Sequence, residues 1–247
     1  MKETNPFSQE LWNTIIVNIP HSSCAFPYGV TNYANLKNLF EDVLVSTDWC
    51  TDKIFSINDI STIKSEISRL FMDTERLIPD DMDKIGRGFY YTQDSIGYDL
   101  RDSKDYALAL SLYTAYQDNF AKKVDDTLAK YSSCLIFDTH SFNKLPLPFE
   151  KQDINRPDIC IGTDSFHTPD WLVDQVVCFY KARNFTVKVN DPYSGAFVPQ
   201  KFYLKDKRVY SIMIEVNKKL YMKDYCIDNK AVSDLNIIFQ RLIENLH

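Results

Sequence analysis

The sequence lacks any apolar stretch that is long enough to cross a membrane. No run of about 18 apolar residues, the minimum for a membrane-spanning helix, occurs in it. Its first residues, MKETNPFSQELWNTIIVNIP, also lack the uninterrupted apolar centre of a signal peptide. We therefore expect a cytoplasmic protein that does not have a membrane as a partner.

Positive charge and paired cysteines are scarce as well. The formal net charge is -6, which argues against nucleic acid as the main partner because phosphate binding requires concentrated Lys and Arg. The six cysteines include no C-x-x-C pair, and several lie in apolar runs such as SSCLIF and DICIG. We expect most of them to be buried thiols.

Glycine and proline are few, at 6 and 10 of 247 residues, and no repeat or low-complexity segment interrupts the chain. Hydrophobic residues make up 45% of the sequence, enough for a sizeable core. A chain of this length and composition predicts one domain over residues 1–247.

Periodicity predicts alternating helices and strands. Helices are expected over residues 105–131 and 230–246, with shorter ones at about 34–44 and 169–183. Strand-like runs cover residues 14–19, 62–73, 134–138, 158–162, 185–190 and 209–216. This alternation predicts an α/β fold with a partly parallel sheet. The polar stretch 79–102 has no period and is expected to lie near the functional site.

Two of the four histidines directly follow strand-like runs. His21 ends IIVNIPH and His140 ends CLIFDTH, and ligands of open α/β sheets bind at the carboxyl ends of strands. The two imidazoles could therefore meet at one metal ion, or each could be an ordinary hydrogen-bonded histidine. Asp138 lies on the same side of its strand and is a candidate to orient His140. We expect His167 and His247 at the surface.

One glutamate and two arginines complete the candidate site. Glu215 interrupts the apolar strand VYSIMIEV, where a charge is costly unless it is paired, binds a ligand or acts in catalysis. It is a candidate general base, with a buried salt bridge as the alternative. Arg69 and Arg76 suit the binding of a carboxylate and the stabilisation of an oxyanion; alternatively they pair with Asp73 and Glu75 at the surface.

With these residues assembled, the chain resembles the N-formylglutamate amidohydrolase family. The resemblance covers about residues 14–225 through NIPHSS, STDW, SRLFMDTER, FDTHS, DICIGT, PYSGAF and IEVNKKLYM, in that order. It implies a three-layer α/β/α fold with a central mixed, mostly parallel sheet. Such a phosphorylase/hydrolase-like sheet is shared with the zinc carboxypeptidases and aspartoacylases. The resemblance also implies one Zn²⁺ ion and a water activated by it.

Carried over residue by residue, the resemblance gives each candidate a role. His21 and His140 are expected to bind zinc, and Glu215 is expected to be the base. Arg76 would grip a substrate carboxylate and Arg69 would stabilise the oxyanion.

Two further residues are expected to contact the substrate. One is Ser141 of the D-T-H-S motif. The other is Tyr193 in NDPYSGAF, a segment that could equally be an ordinary Pro-x-x-Gly turn.

Two departures from the wider family pattern leave questions open. Where related zinc hydrolases have H-x-x-E, this chain has Cys24 in place of the glutamate. Asp48 is the candidate third ligand, because a carboxylate beside Trp49 is costly without a partner, and a Cys24 thiolate is the alternative. Glu75 stands where the related pattern has Asn. Its negative charge is expected near the carboxylate grip, so substrate choice could differ.

The function predicted from these residues is metal-dependent hydrolysis of an amide bond in a small substrate that carries a carboxylate, such as N-formylglutamate or another N-acylamino acid. Two alternatives stay open, namely a metallopeptidase or amidase that acts on peptides and an inactive binding protein of the same fold. We expect a monomer or a small homo-oligomer.

Overall fold

The centre of the protein is a six-stranded mixed sheet. The computed structural model describes residues 11–30 and 32–246. In this part of the chain the strands are β1 (Ile15–Ile19), β2 (Ser61–Lys64), β3 (Cys134–Phe142), β4 (Ile159–Gly162), β5 (Val187–Val189), β6 (Val209–Asn217), β7 (Met222–Lys223) and β8 (Cys226–Ile227). The sheet order is β2-β1-β3-β6-β4-β5, and β7 pairs only with β8. Strands β2, β1, β3 and β6 run parallel to one another, whereas β4 runs antiparallel to β6 and parallel to β5.

Helices cover both faces of this sheet. They are α1 (Leu11–Thr14), α2 (Leu36–Ser46), α3 (Thr51–Ile54), α4 (Tyr106–Leu128), α5 (Asp170–Lys181) and α6 (Asn229–Glu244), with short 3₁₀ turns at Asp81–Ile85 and Lys218–Leu220. Side chains of α3, α5 and α6 form the larger apolar cluster with one face, and α4 packs on the other. This is the three-layer α/β/α architecture, with a mixed and mostly parallel sheet, that the resemblance implied.

Strand β3 shows why the layers hold together. All nine of its residues are buried, because it lies between two parallel partners with helices on both sides. Phe137 meets Phe239 of α6 edge to face, with ring centroids 5.6 Å apart, while Ile136 packs with Phe120 of α4 on the opposite face. Each such side chain contributes about 1.5–3 kcal/mol on burial. The central strand is thereby fixed between both helical layers.

The predicted helices and strands are present with small shifts at their ends, apart from one. The prediction of a strand over residues 62–73 was wrong, because this strand is much shorter: β2 ends at Lys64, and the chain then turns away from the sheet. The Ser65 N–H still donates to Ile19 O at 3.2 Å, but the Ser68 N–H donates to Ala25 O at 2.7 Å, beyond the end of β1. The following turns carry Asp73 over the carboxyl edge of the sheet.

The expectation that His167 lies at the surface was wrong. Its side chain is only 1% exposed, and Nδ1 donates to Val209 O at 2.7 Å. Its Nε2 accepts the Leu204 N–H at 2.9 Å. A polar loop folds back over the edge of β6 here, so the imidazole supplies partners for two backbone groups. His247 lies outside the described residues.

The expectation for the cysteines was correct for only half of them. Cys50, Cys134 and Cys160 are buried free thiols, whereas Cys24, Cys178 and Cys226 are exposed. Cys178 lies on the solvent-facing side of α5. The mixture of polar and apolar residues in this helix did not indicate that the thiol would be exposed. In the part of the chain that the structure describes, no helix combines the length and apolar character needed to span a membrane.

Candidate active site

All of the predicted site residues except Asp138 line one cavity of about 180 Å³ at the carboxyl edge of the sheet. His21 follows β1, His140 lies near the end of β3, and Glu215 lies opposite His140 on β6. The irregular segment 79–102 reaches the same cavity, as predicted, through Met82, Arg87 and Tyr91. The remaining lining residues are Val45, Ser46, Asp48, Arg69, Glu75, Arg76, Ser141, Phe142, Asn143, Leu147, Phe149, Glu150, Tyr193, Ser194, Met213 and Lys218.

Three buried side chains converge at the base of this cavity. The Nδ1 atoms of His21 and His140 are 3.2 Å apart. Asp48 Oδ2 lies 3.2 Å from His140 Nδ1 and 3.6 Å from His21 Nδ1. Ligands of a tetrahedral zinc ion, at bond lengths of about 2.0–2.1 Å, are roughly 3.3 Å from one another. The spacing and the donor types therefore fit one metal ion, and we refer to His21, Asp48 and His140 as the metal group.

Backbone contacts hold Asp48 next to His21. The Asp48 N–H donates to His21 O at 3.0 Å, so the turn after α2 is tied to the end of β1. The Thr51 hydroxyl donates to Asp48 O at 2.8 Å, and Tyr221 fixes the next residue by donating to Trp49 O at 2.8 Å. Burial alone would raise the pKa of Asp48, but the hydrogen bond from His140 and the nearby imidazole of His21 outweigh it and hold that pKa well below its usual value.

Asp73 orients His21. Its Oδ1 lies 2.8 Å from His21 Nε2, and its Oδ2 accepts hydrogen bonds from Arg69 Nη2 at 2.8 Å and from the Tyr91 hydroxyl at 2.7 Å. Burial would raise the pKa of Asp73, but the positive charge of Arg69 outweighs burial and keeps that pKa well below its ordinary value. An ionised Asp73 accepts a hydrogen bond from the Nε2–H group of His21. This contact keeps the proton on Nε2 and leaves Nδ1 free as a ligand.

Two carboxylates face the Nε2 atom of His140. Asp138 Oδ1 is 3.1 Å from it and Glu75 Oε2 is 3.0 Å from it. Burial lowers the pKa of His140, but the charges of Glu75 and Asp138 outweigh burial and raise it well above its usual value. Asn18 Nδ2 donates to Glu75 at 2.6 Å and to Asp138 at 3.1 Å, while Asn18 Oδ1 accepts from the Tyr116 hydroxyl at 2.6 Å. The amide therefore bridges the two carboxylates with its donor side.

Glu75, Asp138 and His140 also form a second group that satisfies the distance criterion for a metal ion. The first group contains two imidazoles, whereas the second has two carboxylates already bridged by Asn18. Imidazole-rich sets are typical of zinc, and a ligand histidine donates its other nitrogen to a carboxylate. The arrangement therefore favours Nδ1 of His140 as the ligand atom and Asp138 with Glu75 as its supports.

Glu215 is a buried acid of this site, and one of its carboxyl oxygens has no partner among the described residues. It is 7% exposed, and its Oε2 accepts no hydrogen bond from any of the residues that the structure describes. Burial raises its pKa to about 8. An unpaired carboxyl of this kind beside a cavity is a frequent feature of catalytic acids and bases. The buried salt bridge considered above as an alternative is absent among the described residues.

The two predicted arginines flank the same cavity. Arg69 contacts Asp73 as described, and Arg76 Nε lies 3.7 Å from Asp73 Oδ2, which is too long for a hydrogen bond. Both side chains are largely buried, with 18% and 27% of their area exposed, so pairing at an open surface does not describe them.

Ser141 and Tyr193 line the cavity with polar groups that already have protein partners. The Ser141 hydroxyl donates to Asp48 Oδ1 at 3.4 Å, and the Tyr193 hydroxyl donates to Glu150 Oε1. Cys24, the alternative ligand, is exposed and belongs to neither group of potential metal ligands.

Of the supports of the metal group, the sequence indicated Asp138, which lies 3.1 Å from His140 Nε2, but not the others. Asp73 entered the sequence argument only as a surface partner of arginine, and Asn18 and Tyr116 carried no signal. Their contacts join residues 52, 120 and 98 positions apart, and local spacing does not reveal contacts of this range. Lys218 was also missed. Its place directly after the apolar strand that contains Glu215 could have indicated that it lies at the site.

In open α/β sheets, ligand-binding and active sites lie at the carboxyl ends of the strands, and the cavity described here lies at that place. Two solved structures share the fold. The N-formylglutamate amidohydrolase of Ralstonia eutropha JMP134 is similar to this chain with a TM-score of 0.74 and 17% identity, over 94% of this chain and 93% of its own. A gene product of Agrobacterium tumefaciens is similar with a TM-score of 0.62 and 17% identity, over 94% and 89%.

Sequence comparison gives the family. The sequence model for N-formylglutamate amidohydrolase matches residues 13–222, most of the chain. The chain therefore belongs to the N-formylglutamate amidohydrolase family, a family of hydrolases, as its motifs suggested. No protein with a curated description matches it.

Proposed function

We propose that the protein hydrolyses the amide bond of a small N-acylamino acid such as N-formylglutamate, and that it uses one divalent metal ion, zinc by preference. The observation that carries the proposal is the convergence of His21, His140 and Asp48 beside the unpaired Glu215. Two imidazoles and one carboxylate are a donor set of catalytic zinc sites, which keep one position open. A zinc ion held there would act as a Lewis acid on water and on the amide carbonyl.

Glu215 moves the proton in this proposal. It removes a proton from water as the water oxygen bonds to the amide carbon, and it delivers that proton to the nitrogen as the C–N bond breaks. The products are a carboxylic acid and the free amino group, which for N-formylglutamate means formate and glutamate. Without a metal ion the pKa of Glu215 is about 8, so the group is mostly protonated at neutral pH. A cation bound nearby would favour the charged carboxylate and lower this pKa, so that Glu215 could both take up and release a proton near neutral pH.

The arginines bind the negative charges of the substrate and of the developing oxyanion. The Nε–H of Arg76 donates no hydrogen bond to any of the described residues, so this guanidinium has a donor free for a substrate carboxylate. Arg69 is held rigidly by Asp73 and donates towards the oxyanion. Ser141 and Tyr193, which line the cavity, supply further polar contacts.

The size of the cavity favours a small substrate over a peptide. Pockets for drug-sized ligands have volumes of about 300–1,000 Å³. The cavity here measures about 180 Å³, and an amino acid with a one-carbon acyl group suits such a space better than an extended peptide does.

The test uses Asp48→Asn with Asp52→Asn as its matched control. Asp48 belongs to the metal group, whereas Asp52 is a neighbouring carboxylate that does not. We expect about one zinc per chain by elemental analysis in the wild type and in Asp52→Asn, and a lower occupancy in Asp48→Asn. Hydrolysis of N-formylglutamate, followed as release of glutamate, should decrease with the zinc content.

Two outcomes would contradict the proposal. One is full zinc occupancy together with full activity in Asp48→Asn. The other is a wild-type protein that neither binds zinc nor hydrolyses N-acylamino acids in added zinc, which would favour a binding protein of the same fold.

A further inference from the structure

Among the residues that the structure describes, the cavity contains one cation that has no carboxylate within ion-pair distance. Four Lys and Arg side chains line the cavity, and three of them lie within ion-pair distance of an aspartate: Arg69, Arg76 and Arg87. The fourth is Lys218, which has no such partner among residues 11–30 and 32–246. An unpaired buried cation is costly, so its presence in a substrate cavity requires a reason.

Lys218 is buried and has only neutral acceptors. It is 5% exposed, and its Nζ donates to Val45 O and to Asn143 Oδ1, both at 3.1 Å. Burial lowers its pKa to about 8, although the more distant charges of Asp48 and Glu215 partly oppose that shift. An ammonium group has three donors, so one N–H remains for a further acceptor.

A purely structural role does not require this lysine. Its two acceptors are already joined, because Asn143 Nδ2 donates to Val45 O at 2.9 Å. The wall that Lys218 contacts is therefore tied together without it, and an apolar side chain of the same length would fill the space at a lower desolvation cost.

We propose that Lys218 is a second anion subsite, which binds a carboxylate of the substrate other than the one bound by Arg76. The inference rests on the proposed function and assigns the residue that selects substrates with two carboxylates. The second carboxylate has two possible sources, which are the side chain of the amino acid and the acyl group.

The test compares substrates that differ only in this charge. N-formylglutamate and N-formylglutamine differ at the side chain, whereas N-succinylalanine and N-succinamoylalanine differ at the acyl group. In the wild-type enzyme we expect kcat/KM to favour the charged member of one pair by roughly 10- to 100-fold, since hydrogen bonds to charged groups have this strength. The pair that shows the preference identifies the source of the carboxylate.

Lys218→Met should abolish that preference mainly through KM, while Lys218→Arg should restore part of it. Lys219→Met is the matched control, because Lys219 is adjacent and exposed, does not line the cavity, and pairs with Asp158 at 2.9 Å. We expect this control to keep the wild-type preference.

Binding without catalysis separates this inference from the proposed function. Glutarate has two carboxylates and no amide, and calorimetry of zinc-loaded protein measures its affinity directly. We expect roughly 10- to 100-fold weaker binding of glutarate to Lys218→Met than to the wild type. If glutarate binds both proteins equally, or if Lys218→Met keeps the charge preference, the inference is wrong. If the wild type binds glutarate through Lys218 but cleaves no amide, the proposed function fails and the anion subsite stands.

Discussion

Replacing Asp73 by Asn tests whether the support of His21 is as important as the geometry indicates. Asp73 is fully buried and accepts hydrogen bonds from Arg69, from Tyr91 and from the Glu75 N–H, in addition to its contact with His21. Asn keeps the shape but removes the charge and turns one acceptor oxygen into a donor. Removing one partner of a buried ion pair costs about 3–5 kcal/mol. We expect a loss of that size in the free energy of unfolding of the metal-free protein.

The same change should weaken metal binding. Without a carboxylate at Nε2, His21 is a poorer and less well oriented ligand, and losses of such supports lower metal affinity by about 10- to 100-fold. Urea denaturation of metal-free protein measures the first effect, and competition with a chromophoric zinc chelator measures the second.

The control is Asp126→Asn, which breaks the exposed pair between Lys122 and Asp126. Exposed pairs are screened by solvent, so this variant should be indistinguishable from the wild type in both assays. The reasoning is refuted if Asp73→Asn is no less stable than Asp126→Asn, or if both variants bind zinc with the wild-type affinity.

Two further substitutions separate catalysis from stability. Glu215→Gln should retain zinc, because Glu215 lies outside the metal group. Its kcat should fall by about 10²- to 10⁴-fold, since general acid–base catalysis contributes that much. An unchanged kcat would show that Glu215 is not the base. His167→Ala should lower the free energy of unfolding by about 1–3 kcal/mol for each backbone group that loses its partner, measured by urea denaturation. Because His167 does not line the cavity, its folded variant should keep the wild-type KM and kcat, and a changed KM would contradict this assignment.

Local signals in the sequence predicted an α/β fold with a partly parallel sheet and pointed to the residues that form the metal group. His21 and His140 follow apolar strands, and the carboxyl ends of parallel strands meet at one edge of a sheet, so their approach to 3.2 Å follows from strand order. Asp48 was found from the cost of a carboxylate beside Trp49. Glu215 was found from its place in an apolar strand.

Long-range contacts and the path of loops could not be predicted in this way. The segment after β2 resembled a continued strand because it contains several apolar residues, yet Leu70, Phe71 and Met72 pack in two small clusters away from the sheet. Whether such residues meet a sheet or a loop depends on tertiary packing rather than on period. His167 was misjudged for the same reason, since it lies in a largely polar segment while its ring contacts Val209 of β6 and Leu204, about 40 positions away.

Glu75 shows how a departure from a family pattern acquires a meaning only in three dimensions. The sequence suggested that its charge lies beside Arg76 and alters the binding of the substrate carboxylate. In the structure its carboxylate instead contacts His140 Nε2 at 3.0 Å and Asn18 Nδ2 at 2.6 Å. Burial and the charge of Asp138 raise the pKa of Glu75 well above its ordinary value, whereas contacts with His140 hold the pKa of Asp138 below its own against the effect of burial, so of the two acids Glu75 binds a proton more readily. The departure therefore changes the support of His140, which we propose as a metal ligand, whereas Arg76 Nε has no hydrogen-bond partner among the described residues.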